Sequence, residues 1–100
     1  MALNPATAVG YTYKNITAAA PTTTTLATKG PGILHTLTIN QPTSTETITI
    51  YDGDATGTKI GTITVGVGDM PLSLRYDAAY TTGLTIVTAT AACDLTVTYI

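Results

Sequence analysis

Every fourth residue of this chain is threonine, 25 of 100, and with isoleucine and valine the β-branched residues reach 39. Branched side chains lose χ1 freedom against the preceding turn of a helix, whereas they pack well on a pleated surface. A chain of this kind is built for strands. Ala18 to Ala20 is its one helix-friendly patch, and Pro21 ends it at once.

Period-two alternation follows from the same composition. Ile33, Leu37 and Ile39 fall on one face together with His35. Ile48 and Ile50 alternate with Thr47, Thr49 and Tyr51. Leu72, Leu74 and Tyr76 alternate with Ser73 and Arg75, and Leu95, Val97 and Tyr99 with Thr96 and Thr98. Weaker strands are expected over Tyr11–Thr17, Thr22–Thr28, Thr58–Val65 and Gly83–Ala89. Turn chemistry separates them. Gly30-Pro31-Gly32 breaks the chain, Asn40 to Ser44 follows the first strong strand, and Asp52 to Gly57 reads as a hairpin connection. A glycine-rich loop runs from Gly66 to Pro71. Short strands with turns at this spacing predict an all-β domain, a single small β-sandwich or jelly-roll-like barrel of about seven or eight antiparallel strands. Seven would suit an immunoglobulin-like sandwich and eight a jelly roll; periodicity leaves both open. Residues 1–30 are poor in large apolar groups and read either as an extended N-terminal arm or as edge strands, with residues 31–100 as the sandwich core.

Leu, Ile, Val and Phe total 22 and the net charge is −2, so the chain is expected to fold. There is no Phe and no Trp, which leaves the aliphatics and six Tyr to fill the core. Four basic residues cannot make a phosphate-neutralising stripe, so no nucleic-acid partner is expected. No apolar run approaches the ~20 residues that span a bilayer as a helix. The N-terminus lacks the basic and apolar regions of a secretory signal, and the lone Cys93 forms no intramolecular disulfide.

Candidate chemistry is sparse. His35 is the only imidazole, and any Ser–His or Cys–His pair must use it. On the apolar face of a strand it reads better as a packed, hydrogen-bonded or interface residue. Nothing in the sequence near Cys93 would activate its thiol. Asp52 and Asp54 flank Gly53 and could offer oxygen ligands to Ca²⁺, but Ile63 stands where a calcium loop needs its terminal Glu, and a hairpin turn selects the same residues. Asp69, Asp77 and Asp94 complete the aspartates; nothing in the sequence brings Asp52 and Asp77 together as a hydrolytic pair. Asp94 is expected to cap the start of the last strand or to stay solvated. Gly66-Val67-Gly68-Asp69 lacks the Lys–Ser/Thr of a phosphate loop. Asn15-Ile16-Thr17 is a glycosylation triplet that means little without a secretory signal. Tyr11, Tyr13, Tyr51, Tyr76 and Tyr80 could line a sugar-stacking surface, although filling a core or anchoring an interface is the commoner use. No catalytic, cofactor-binding or metal-ligating residue is assigned, no cofactor is expected, and the chain is read as a non-enzyme.

The outward faces are more telling. They carry threonine where a soluble sheet usually carries Lys, Glu and Arg, and uncharged sheet edges invite association. The expectation is that neighbours cover much of this surface, in a homo-oligomer or a large assembly.

Over the last ~70 residues the chain resembles the small accessory head proteins of tailed bacteriophages, the decoration or cement proteins. The resemblance is carried, in order, by Gly30-Pro31-Gly32-Ile33-Leu34-His35-Thr36-Leu37-Thr38-Ile39, Ile50-Tyr51-Asp52-Gly53, Leu74-Arg75-Tyr76-Asp77, Thr82-Gly83-Leu84-Thr85-Ile86-Val87 and Asp94-Leu95-Thr96-Val97-Thr98-Tyr99. It implies a β-sandwich or jelly-roll module present in many copies, made in the host cytoplasm and placed on the virion surface. It implies no catalysis and transfers no site residues. The expected function is to bind the major capsid protein and bridge capsid subunits, with a homotrimer as the expected oligomer. The alternative is a ligand- or carbohydrate-binding β-sandwich of a phage tail or fibre.

Overall fold

The computed structural model describes residues 11–17, 22–41, 46–66, 71–89 and 94–100. They form eight strands and no helix: β1 (Thr12–Ile16), β2 (Thr22–Ala27), β3 (Gly32–Gln41), β4 (Glu46–Asp52), β5 (Thr58–Val65), β6 (Leu72–Tyr80), β7 (Leu84–Thr88) and β8 (Asp94–Tyr99). All pairings are antiparallel. One sheet runs β1-β8-β3-β6 and the other β2-β7-β4-β5. β4 pairs with β5, β3 with β6, β2 with β7 and β1 with β8, like one long hairpin rolled up on itself. That nesting, with β3–β8 and β4–β7 closing the sheets, is the strand order of a jelly roll. The all-β sandwich expectation is met, with eight strands. β1 and β2, from the first 30 residues, each form the edge of one sheet; residues 1–10 lie outside the described residues.

The two inner faces meet in a core that is aliphatic apart from one tyrosine. Ile16, Leu34, Leu37, Ile39, Tyr80, Leu95 and Val97 come from one sheet, and Ile48, Ile50, Val65, Leu84 and Ile86 from the other. Glycine makes room for two tyrosines. A Cβ on Gly32 would overlap the Tyr80 ring and the Ile100 carbonyl, and one on Gly61 would come within 2.9 Å of the Tyr76 hydroxyl. Burial without a partner would leave the Tyr80 phenol costly. It donates instead to the Ile100 carbonyl at 2.7 Å, and Ile33 and Ile100 exchange backbone hydrogen bonds beside it.

Strict alternation fails at defined points. Between Leu34 and Thr36 the register slips against both neighbours of β3. Leu34 and Leu37, three apart, are therefore both fully buried, while Ile33 is 40% exposed. This corrects the expected face of β3: Leu34 replaces Ile33 in the core, and His35 is turned outward by the bulge. Leu72 is likewise exposed, leaving Leu74 and Tyr76 to pack against the core.

One carboxylate ties the turns together. Asp52, at the end of β4, accepts Thr81 N–H and hydroxyl through Oδ2 at 2.8 and 2.9 Å, and Thr82 and Gly83 N–H through Oδ1 at 2.8 and 3.3 Å. These donors, Thr82 N–H first and then Thr81 N–H, hold its pKa down at about 2 against an ordinary 3.8. At the start of β4, Glu46 is fully buried and accepts Thr47 and Ala89 N–H, which ties β4 to the end of β7.

Leu37→Ala should cost about 3 kcal/mol, read by chemical denaturation, because the rigid sheets cannot close over the void. A carboxylate whose pKa falls on folding stabilises above its unfolded value and loses that contribution as pH drops. The Asp52 part should therefore be intact above pH 3.8 and fade as pH falls through about 2. Asp52→Asn should lower the melting temperature at neutral pH and flatten its decline over that acid window.

Candidate assembly surface

Four strands bound the two sheets: β1 and β6 on one, β2 and β5 on the other. Each has a backbone edge with no strand partner among the described residues, and such edges template further pairing unless they are distorted or charged. Three are distorted. β2 slips register at Leu26 against β7, β5 slips at Ile60 against β4, and β6 is bulged opposite His35, where Asp77 takes a φ of +46°. β1 pairs with β8 without a break from Thr12 to Ile16. It is the regular edge of the molecule, and the exposed Tyr13 stands on it, 72% accessible.

The outer faces differ in chemistry. On the β2-β7-β4-β5 sheet the register aligns Thr23, Val87, Thr49 and Thr62 in one row, and Thr25, Thr85, Tyr51 and Lys59 in the next, with Thr47 beside Thr64; of these Thr85 is buried. Lys59 is the one charged side chain on this face among the described residues. On the other sheet the polar groups satisfy one another. Thr36 and Thr98 hydroxyls pair at 2.5 Å and Thr38 meets Ser73 at 3.0 Å. Asp94 accepts Asn15 and Asn40 amides at 2.6 and 3.1 Å.

These contacts place the sequence candidates. Asp94 opens β8, where its carboxylate accepts from an exposed amide network on the sheet face. Asn15 also donates to the Leu95 carbonyl at 2.8 Å, so the amide of the glycosylation triplet is engaged. Asp52 is consumed by the β6–β7 turn. Asp54 Oδ1 accepts the Thr56 N–H and hydroxyl at 2.8 and 2.6 Å, which lower its pKa, the hydroxyl most. The two carboxylates serve separate turns, and the described residues contain no cluster of three His, Cys, Asp or Glu that could hold a metal ion. The tyrosines do not form a row: Tyr80 is in the core, Tyr76 packs over Gly61 and Tyr13 projects from β1. Cys93, Asp69 and the 67–70 part of the glycine-rich loop lie outside the described residues.

His35 gathers a cluster from distant parts of the chain. Its Nδ1 donates to Asp77 Oδ1 at 2.5 Å, its ring stacks on Tyr11 at a centroid distance of 4.2 Å, and Arg75 Nε lies 3.7 Å from Asp77 Oδ2. Among the described residues Asp77 is the hydrogen-bond partner of the imidazole, and no hydroxyl or thiol nucleophile contacts it. The leucines three apart at 34 and 37 were the available sign of the bulge that creates this arrangement.

No family model and no curated protein matches the chain. It is similar to a solved structure described as "Bacillus endospore appendages form a novel family of disulfide-linked pili", with 26% identity, a TM-score of 0.51, and coverage of 89% of this chain and 81% of that one. The comparison supports a small structural β-protein, and it brings no counterpart among phage head proteins.

Proposed function

We propose that this chain is a non-enzymatic structural subunit that works by associating with copies of itself into a surface assembly. The observation that carries this reading is the contrast, among the described residues, between one regular edge with no strand partner and three bulged ones. Three edges are bulged against indiscriminate pairing, while β1 keeps a regular backbone edge with a single charge, Lys14, and is left able to accept a strand. Main-chain hydrogen bonds would supply affinity there, and Tyr13 would add apolar area. The charge-poor threonine face offers little repulsion to a neighbouring copy. The likeness to a pilus structure agrees with self-assembly. Bridging of capsid subunits is a narrower version of the same reading, in which the partner is a viral shell, and a homotrimer is its simplest unit.

Purified full-length chain should form oligomers or filaments in light scattering and electron microscopy. Lysines at the β1 edge, Thr12→Lys with Tyr13→Lys, should abolish them and change stability by no more than about 0.5 kcal/mol, as exposed sites do. A monomer at all concentrations, with no affinity for shells, would contradict the proposal.

A further inference from the structure

At the end of the sandwich where β2 stops and the β4–β5 and β6–β7 turns meet, there is a cleft of about 220 Å³ lined by Thr25, Ala27, Thr28, Gly53, Asp54 and Thr82. Its walls are braced before any ligand arrives. Gly53 N–H donates to the Gly83 carbonyl at 3.0 Å, the buried Thr85 hydroxyl donates to the Gly53 carbonyl at 2.7 Å, and Asp52 grips the Thr82 N–H at 2.8 Å. Gly53 itself needs its φ of +106° to make this turn.

The volume is below the ~300–1,000 Å³ of sites for drug-sized ligands. It equals about seven waters at ~30 Å³ each, room for one small ring. Three threonines from two segments line the cleft, Thr25 on β2, Thr28 just after it and Thr82 in the β6–β7 turn. The Ala27 and threonine methyls supply apolar wall. Asp54 is the one charge in the lining. Its Oδ1 is occupied by Thr56, which orients the carboxylate and leaves Oδ2 to accept from a ligand. Hydroxyls beside a fixed carboxylate, with no cationic side chain in the lining, suit an occupant rich in O–H or N–H donors and disfavour an anion.

We propose that this cleft is a binding subsite for one hexose-sized polyhydroxy ring, with an amine-bearing ring held better than a neutral one and a carboxylated ring worst. The inference is independent of self-association, since the cleft lies among the turns and none of its lining residues is on β1.

Saturation-transfer NMR on the full-length chain, with glucosamine, glucose and glucuronate as separate probes, tests the order. A dissociation constant near ~1 mM is expected for glucosamine, about tenfold tighter than for glucuronate, the scale of one charge-assisted hydrogen bond. Asp54→Asn keeps an oxygen for Thr56, so the turn is retained, and it should bring the three probes level. Thr28→Val should weaken all three. Transfer to none of the rings, an order that Asp54→Asn leaves unchanged, or equal binding of a simple alkylamine would overturn the proposal.

Discussion

The two sheets must meet over a core that holds no ring larger than tyrosine, and most of the architecture answers to that constraint. Leucine, isoleucine and valine fill the layer between the sheets, and they stack efficiently only when the faces are close and well matched in register. Two of the three tyrosines that pack against the core do so where glycine has no side chain, Tyr80 against Gly32 and Tyr76 against Gly61. Close packing of this kind leaves few voids, which is why a single lost side chain is felt.

The bulges follow from the same geometry. A flat, strictly alternating sheet could not keep Leu34 and Leu37 both inside, nor Ile60 and Gly61 both turned toward the opposite sheet. An extra residue in one strand restores the inward aim on each side of it and increases the local twist. The consequence reaches the surface. At the bulge of β3 an imidazole is pushed outward, the neighbouring strand answers with an aspartate of positive φ, and three of the four edges lose the regularity that another strand would need. Core packing and edge protection are thus one feature seen from two sides.

Polar groups are handled by assignment to particular tasks. Asp52 organises the β6–β7 turn, Asp54 its own hairpin, Asp94 the outer amide network and Glu46 the start of β4. Residues that sequence alone offers as a metal or acid–base set are spread over separate structural duties. Many of the threonines, by contrast, such as Thr23, Thr49 and Thr62, remain on the outer faces, where rows of hydroxyl and methyl groups with few charges make a surface tolerant of close neighbours, while Thr85 and Thr88 are buried.

Composition and alternation by themselves determined the fold class, a set of seven or eight short strands, the position of most turns and the aliphatic character of the core, because β-branched residues and period-two burial act locally along each strand. Ile48, Ile50, Leu95 and Val97 are legible in that way. The tertiary structure alone decided the nesting of strands into a jelly roll, the outward turn of His35 with its Asp77 and Tyr11 partners, and the cleft among three turns. Those features arise where distant segments meet, Asp52 with Thr81 or Thr36 with Thr98, and local periodicity carries no information about which strands will be neighbours. The bulges lie between the two cases: apolar residues three apart mark them in the sequence, but only pairing across the sheet shows which residue is displaced and what it then faces.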